Sequence, residues 1–301
     1  MFVRKNNQEI INGISLKAPA KINLFLEVLG KRNDGYHELE TVMQEIDLVD
    51  SLEFEEIDEG IKLECENSSI PLNENNLVYK AAELVLRECG IKKGVAIRLE
   101  KRIPVGAGLG GGSSDAAATL KALNSLWGIG LNDVELMELA AKIGSDVAFF
   151  IKGKTSLCRG RGEKVYPVEV KSKLNYLVVF PHVEISTKSI YGNLKIDLTK
   201  NRKDVSVFAK AVENSDVAEI GKLLFNRLEE TIFSLYPDLL QTKNLLERFG
   251  FCGLLVSGSG SAIYGLCSNR NQAEMIRNQI ELRGMGKVFV AANTIIPQTT
   301  R

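Results

Sequence analysis

The sequence predicts an α+β chain of two domains, 1–165 and 166–301. Three observations carry that expectation. A chain of 301 residues, 45% hydrophobic and 25% charged, has ordinary globular composition and enough length for two cores. In the first half, extended segments at 16–29 and 95–99 precede a glycine-rich turn and a run of helical patterns. In the second half, strands at 174–180, 253–256 and 262–266 are separated by helical stretches, the pattern of helices packed on a sheet.

Residues 16–29 read as one long strand or a strand pair. Ile22, Leu24, Leu26 and Val28 alternate with Lys21, Asn23, Phe25 and Glu27, so Lys21 and Asn23 share the face opposite the apolar one. Asn33-Asp34-Gly35 marks a turn, after which Tyr36 and His37 open another extended segment as half-buried strand residues. Residues 51–70 alternate and are acidic, which predicts an exposed hairpin. Asn73 to Asn76 precede a helical pattern with Leu77, Ala81, Leu84 and Val85, and one of them caps it. A strand at 95–99 then leads through Lys101-Arg102 into Pro104-Val105-Gly106-Ala107-Gly108-Leu109-Gly110-Gly111-Gly112-Ser113-Ser114.

The five glycines between 106 and 112 let the backbone bring its N–H groups close to a ligand. A helix follows, with Ser113 or Ser114 as its cap, Asp115 in its first turn, and Ala116, Leu120, Leu123 and Trp127 on one face. Its unpaired N–H groups and dipole make the junction an anion site, best suited to phosphate. A dinucleotide loop needs a second strand ending in an acidic residue about 20 positions on, and Asp133 opens a helix instead. A mononucleotide P-loop needs Lys-Ser/Thr after its last glycine, and here Gly112 is followed by Ser113. A flexible ligand-free turn is the remaining alternative.

After a break at Gly128-Ile129-Gly130, Asn132 or Asp133 starts a helix carrying Leu136, Leu139, Ala140 and Ile143. Gly144 suits the position just past its end, which puts Asp146 beyond the helix, where capping of the next element is the local explanation. Segments 154–158 and 164–166 flank Arg159-Gly160-Arg161-Gly162 as a hairpin. The second half has a strand at 174–180, a segment at 185–194 carrying Tyr191, and helical patterns at 203–213, 216–231 and 237–249. Two antiparallel strands joined by Ser257-Gly258-Ser259-Gly260-Ser261 come next, then a helix at 270–282 and a strand at 287–291.

The 38 basic and 38 acidic residues cancel, so no overall field favours nucleic acid or an anionic membrane, and a small ligand is expected. Five cysteines, odd in number and never in Cys-x-x-Cys spacing, suggest neither a disulfide framework nor a thiolate metal site. Two histidines make an imidazole metal site improbable. No stretch approaches the ~20 apolar residues of a membrane span, and the expected compartment is the cytoplasm.

Residues 104–114 resemble the phosphate-binding motif of the small-molecule kinases that include galactokinase, homoserine kinase, mevalonate kinase and phosphomevalonate kinase. Together with Ala18-Pro19-Ala20-Lys21-Ile22-Asn23, Asp34-Gly35-Tyr36-His37, Gly144-Ser145-Asp146-Val147 and Ser257 to Ser261, they make nearly the whole chain similar to the 4-diphosphocytidyl-2-C-methyl-D-erythritol kinase family. The resemblance implies a two-domain kinase fold, each domain a mixed or antiparallel sheet packed with helices, with the active site in the cleft between them. It implies ATP and Mg²⁺ as cofactors, a cytidine diphosphate substrate in non-mevalonate isoprenoid synthesis, and a monomer or weak homodimer. Lys21, otherwise a solvated edge-strand lysine, becomes catalytic with Asp146. Residues 104–114, Asn76 and Lys101 become ATP contacts. Asn23, Tyr36, His37, Tyr191, Gly258 and Gly260 become substrate contacts, with Tyr191 covering the second face of the cytosine. No metal ligand set is implied, although Ser113 and Ser114 lie within reach of one. Ala148 stands where that family's pattern has proline. The rival readings are a kinase of another alcohol, such as homoserine or mevalonate, and a nucleotide-binding regulator without turnover.

Overall fold

Two long strands carry the first sheet. β1 (Gly13–Lys31) and β2 (His37–Ile57) run antiparallel through the turn at 33–35, with register shifts at Pro19/Ala20, Asn23/Phe25 and Val28/Gly30. The computed structural model describes residues 13–67, 70–195 and 202–294. The shift between Asn23 and Phe25 resets the alternation, so Leu24, Phe25 and Leu26 are all buried. Neither face of β1 is solvated there. Lys21, Asn23 and Glu27 are 4%, 3% and 2% exposed, which removes the solvated-lysine reading.

The expected hairpin at 51–70 is not formed. β3 (Ile61–Cys65) pairs parallel with β4 (Gly94–Glu100), and β4 lies antiparallel on the end of β2, so β4 is inserted between the two strands. Leu52 and Phe54 of this acidic stretch are fully buried in the core beneath α1 (Leu77–Glu88) and α2 (Gly111–Leu126). Only the outward positions carry the charge. α3 (Asp133–Ile143) and α4 (Ser145–Lys152) complete that layer, and β5 (Thr155–Gly160) and β6 (Lys164–Pro167) form the expected hairpin on β2.

The caps explain where these helices begin. Asn76 accepts from the Val78 N–H at 2.9 Å, and Asn132 forms a reciprocal capping box with Glu135. α2 departs from expectation. It starts at Gly111, with Gly110 at φ +70° as its cap, and neither Ser113 nor Ser114 caps it. A Cβ on Gly111 would stand 3.0 Å from the Ile103 side chain and 3.1 Å from Lys101 Nζ, so the first turn presses against β4's exit. Asp115 is consequently past the first turn. Gly144 ends α3 in an extended conformation and also caps α4, which puts Asp146 inside that helix's first turn.

A second, antiparallel sheet is ordered β11 (Lys287–Ala292), β7 (Asn175–Phe180), β10 (Ile263–Cys267), β9 (Gly253–Val256). Around it lie α5 (Thr187–Asn193), α6 (Val205–Asn214), α7 (Val217–Leu223), α8 (Glu229–Leu235), α9 (Pro237–Leu246) and α10 (Arg270–Glu281). The expected helix at 216–231 is interrupted. Phe225–Asn226 form a short strand, β8, parallel to Phe25 and Leu26 of β1, so the first sheet takes a strand from the second half of the chain. Arg227 secures it with two bonds of 2.7 Å to the buried Glu27 carboxylate.

Burial of Phe54 separates this topology from an exposed hairpin. Phe54→Ala is expected to cost about 3–5 kcal/mol in urea unfolding. A loss under ~0.5 kcal/mol, the surface value, would contradict the inserted strand.

Candidate active site

One cavity of about 850 Å³ is lined by every candidate residue named from the sequence except Ser114. Ser114 lies behind the wall, 1% exposed, its hydroxyl oxygen without a hydrogen-bond partner. The glycine-rich turn forms one side of the cavity, and the start of α2 points its free N–H groups inward.

β1 delivers Lys21 to the foot of this turn. Its main-chain N–H donates to Leu109 O at 2.9 Å, and its ammonium donates to Gly108 O at 2.9 Å and to Asn23 Oδ1 at 2.5 Å. Asn23 is in turn held by Thr41 Oγ1 at 2.9 Å. Asp146 Oδ2 stands 3.8 Å from Lys21 Nζ, in the first turn of α4. The lysine side chain is 5% exposed and the aspartate 38%, so the carboxylate opens on the cavity while the ammonium lies behind it. Burial pulls the Lys21 pKa below the usual lysine value, with the Asp146 charge opposing.

The two glycine motifs meet face to face. Gly108 has φ +74°, and a Cβ there would be 2.2 Å from Ser257 O. Gly258, at φ +57°, lies where a Cβ would stand 3.3 Å from Lys21 Nζ and 3.1 Å from Asn23 Oδ1. Ser257, which sequence reasoning passed over as a turn residue, donates its hydroxyl to Gly108 O at 3.0 Å. Only the alternation of serine with glycine hinted at it.

Other candidates sit differently from expectation. Lys101 Nζ is held between Asp50 and Asp115, the latter at 2.7 Å, so its charge is matched by buried carboxylates. The Asn76 side chain is engaged in capping α1 and in a 2.8 Å bond to Pro71 O. Tyr191 packs on His37, with ring centroids 5.1 Å apart, while Tyr36, 52% exposed, lies under the Arg161 guanidinium at 4.7 Å. Tyr36 and Tyr191 thus each have their own packing partner at the cavity wall. α5 sets Tyr191 against the start of β2, and Arg161 from the turn after β5 takes the face of Tyr36. Among the described residues no three His, Cys, Asp or Glu side chains are grouped as metal ligands.

Burial drives the Asp115 carboxyl up to about 7, with Lys101 opposing and Asp50 adding to the rise. The folded state therefore holds this proton more tightly than the unfolded chain, whose carboxyl titrates near pH ~4. Its contribution to stability is fully present below about pH 4 and is lost as pH rises to about 7. The stability of Asp115→Asn minus that of the parent, from urea unfolding, is expected to increase across that window. A difference independent of pH would contradict this reading of the cluster.

Comparison with known proteins agrees with the geometry. Residues 76–154 match the GHMP kinases N terminal domain and residues 208–284 the GHMP kinases C terminal model. The chain is 43% identical over 88% of its length to 4-diphosphocytidyl-2-C-methyl-D-erythritol kinase of Bacillus cytotoxicus, covering 92% of that protein. It is 45% identical over 87% of its length to the enzyme of the same name from a Geobacillus species, covering 91% of it. A solved 4-(cytidine 5'-diphospho)-2C-methyl-D-erythritol kinase superposes with a TM-score of 0.80 at 35% identity, over 93% of this chain and 100% of that one. With its loop, lysine and aspartate so arranged, the chain belongs to the 4-diphosphocytidyl-2-C-methyl-D-erythritol kinase family of the GHMP kinases.

Proposed function

We propose that the chain transfers the γ-phosphoryl group of ATP to the 2-hydroxyl of 4-diphosphocytidyl-2-C-methyl-D-erythritol, a step of non-mevalonate isoprenoid precursor synthesis. The observation that carries this reading is the 3.8 Å approach of Lys21 Nζ to Asp146 Oδ2 beside the anion-binding turn. Phosphoryl transfer asks little covalent chemistry of a protein; it asks for positioning and charge stabilisation.

Main-chain N–H groups of residues 106–114 hold the ATP phosphates, aided by the α2 dipole. Asp146 accepts the hydroxyl proton as the oxygen bonds to the γ-phosphorus, the bond to the β–γ bridging oxygen breaks, and ADP leaves. An ammonium has three donors, and Gly108 O and Asn23 Oδ1 take two at Lys21. The third faces Asp146 and, during the reaction, the charge on the transferred group. Mg²⁺ supplies charge neutralisation on the β- and γ-phosphates when bound. The donor set suits a hard cation. Asp115 Oδ1, an oxygen of the cavity wall without a hydrogen-bond partner, would be the side-chain group to hold it, while Ser114 Oγ, equally unpartnered, lies behind that wall. Tyr36, His37 and Tyr191 receive the cytosine, and Asn76 borders the ATP base. The ATP-binding domain ends near residue 165, between the two family matches. No described helix is long and apolar enough to cross a membrane. The enzyme works in the cytoplasm as a monomer or weak homodimer.

ADP release over a panel of alcohols tests the reading. Turnover is expected with the cytidyl substrate and competition by cytidine nucleotides, with homoserine and mevalonate left unreacted. Equal use of the bare alcohols would contradict it, and ADP release with none would point to a regulator.

A further inference from the structure

The structure assigns Asn226 and Glu229 as positioning residues that clamp the second glycine motif against Lys21. In sequence both lie between the two glycine motifs, and neither touches the reacting groups. Asn226 is 4% exposed, on the two-residue strand β8. Its amide uses both protons on the neighbouring motif, donating to Val256 O at 2.9 Å and to Gly258 O at 2.8 Å. Its own oxygen accepts from Leu228 N at 3.0 Å. Glu229 accepts from Val256 N at 2.9 Å and is steadied by Lys243 at 2.8 Å. Val256 is thus gripped through its N–H by one residue and through its carbonyl by the other.

The residues directly after Val256 form the motif that touches the lysine. Gly258 lies against Lys21 Nζ and Asn23 Oδ1, and Ser257 Oγ shares Gly108 O with that ammonium. β8 is itself fixed to β1 by Arg227 N to Leu26 O at 2.9 Å and by the Arg227–Glu27 pair. Lys21 and Asn23 lie on that same strand, so the clamp and its target are referenced to one rigid element. A buried amide with all its donors engaged on two carbonyls is costly to lose, because the carbonyls are left unpaired. The consequence is geometric. Released from Asn226, residues 257–260 move off the lysine, and a displacement of about 1 Å at such a site can cost on the order of 10²-fold in rate.

Lys21 also reports the change. Asp146 on α4 and Cys158 on β5 are the titratable groups acting on it, and burial holds its pKa down. Loosening the motif admits water, so that pKa rises.

This inference rests on the kinase reading, and its test has one readout that does not. Hydrogen exchange of the Gly260 and Ala262 amides, bonded to Ser257 O and Ala107 O, measures how firmly the motif is seated. In Asn226→Ala and Glu229→Ala exchange is expected to accelerate, and Glu229→Gln, which keeps the acceptor for Val256 N, is expected to restore it. In the folded fraction, kcat is expected to fall at least ~10-fold at nearly constant KM for ATP, with the alkaline limb of the kcat–pH profile moved to higher pH. If Asn226→Ala does not fold, the Glu229 pair decides, since that side chain is partly exposed at a helix start. Parent-like exchange in the alanine variants overturns the clamp, as does a lowered kcat with the alkaline limb unmoved. Absence of turnover in the parent sinks the kinase reading alone.

Discussion

One carbonyl oxygen ties the site together. Gly108 O accepts from Lys21 Nζ at 2.9 Å and from Ser257 Oγ at 3.0 Å, using both its lone pairs. Through it the first glycine turn, strand β1 and the second glycine motif meet at one point, although Ser257 lies 149 residues from Gly108. The ammonium is a charge buried at 5% exposure, and charge-assisted bonds of this kind are what make such burial tolerable. Gly108 must be a glycine for this contact, since its φ is positive and a Cβ would meet Ser257 O.

The surroundings divide charge by purpose. Lys101, at the cavity wall, is paired with Asp50 and Asp115, and Glu27 is paired with Arg227, so these ions fasten strands and helices together. Asp50 also accepts from the Arg102 and Ile103 N–H groups at 2.6 and 2.9 Å, which fixes the exit of β4 into the phosphate turn. Among the described residues, Asp146 is the carboxylate that combines proximity to Lys21 with an open side chain. That asymmetry suits a pair in which one member orients and the other receives a proton from a ligand.

Much of the fold was legible locally. The strand at 174–180, a cap within Asn73 to Asn76 and one at Asn132 or Asp133, the hairpin after Thr155 and the two glycine motifs are all short-range signals, and the structure has each, with Asn76 and Asn132 as the caps. What was not legible depends on distant pairing. The parallel β3–β4 contact and the insertion of Asn226 beside β1 involve partners with no local period to announce them. Packing over both faces of β1 turned an expected two-faced strand into one buried on both sides, and the buried carboxylates beside Lys101 match a charge expected to be free for the phosphates. The roles of Lys21 and Asp146 came from resemblance. Their residue types alone fit a surface lysine and a helix cap equally well.

The central claim is that Lys21 and Asp146 act on the transferred phosphoryl group as one unit, held by the Gly108 carbonyl. A double-mutant cycle on kcat with Lys21→Met and Asp146→Asn measures that directly. Each single variant is expected to lose at least ~10²-fold, and the pair to lose little more than either alone, as for residues that serve a single step. Losses that multiply in the double variant would show two independent residues and contradict the account.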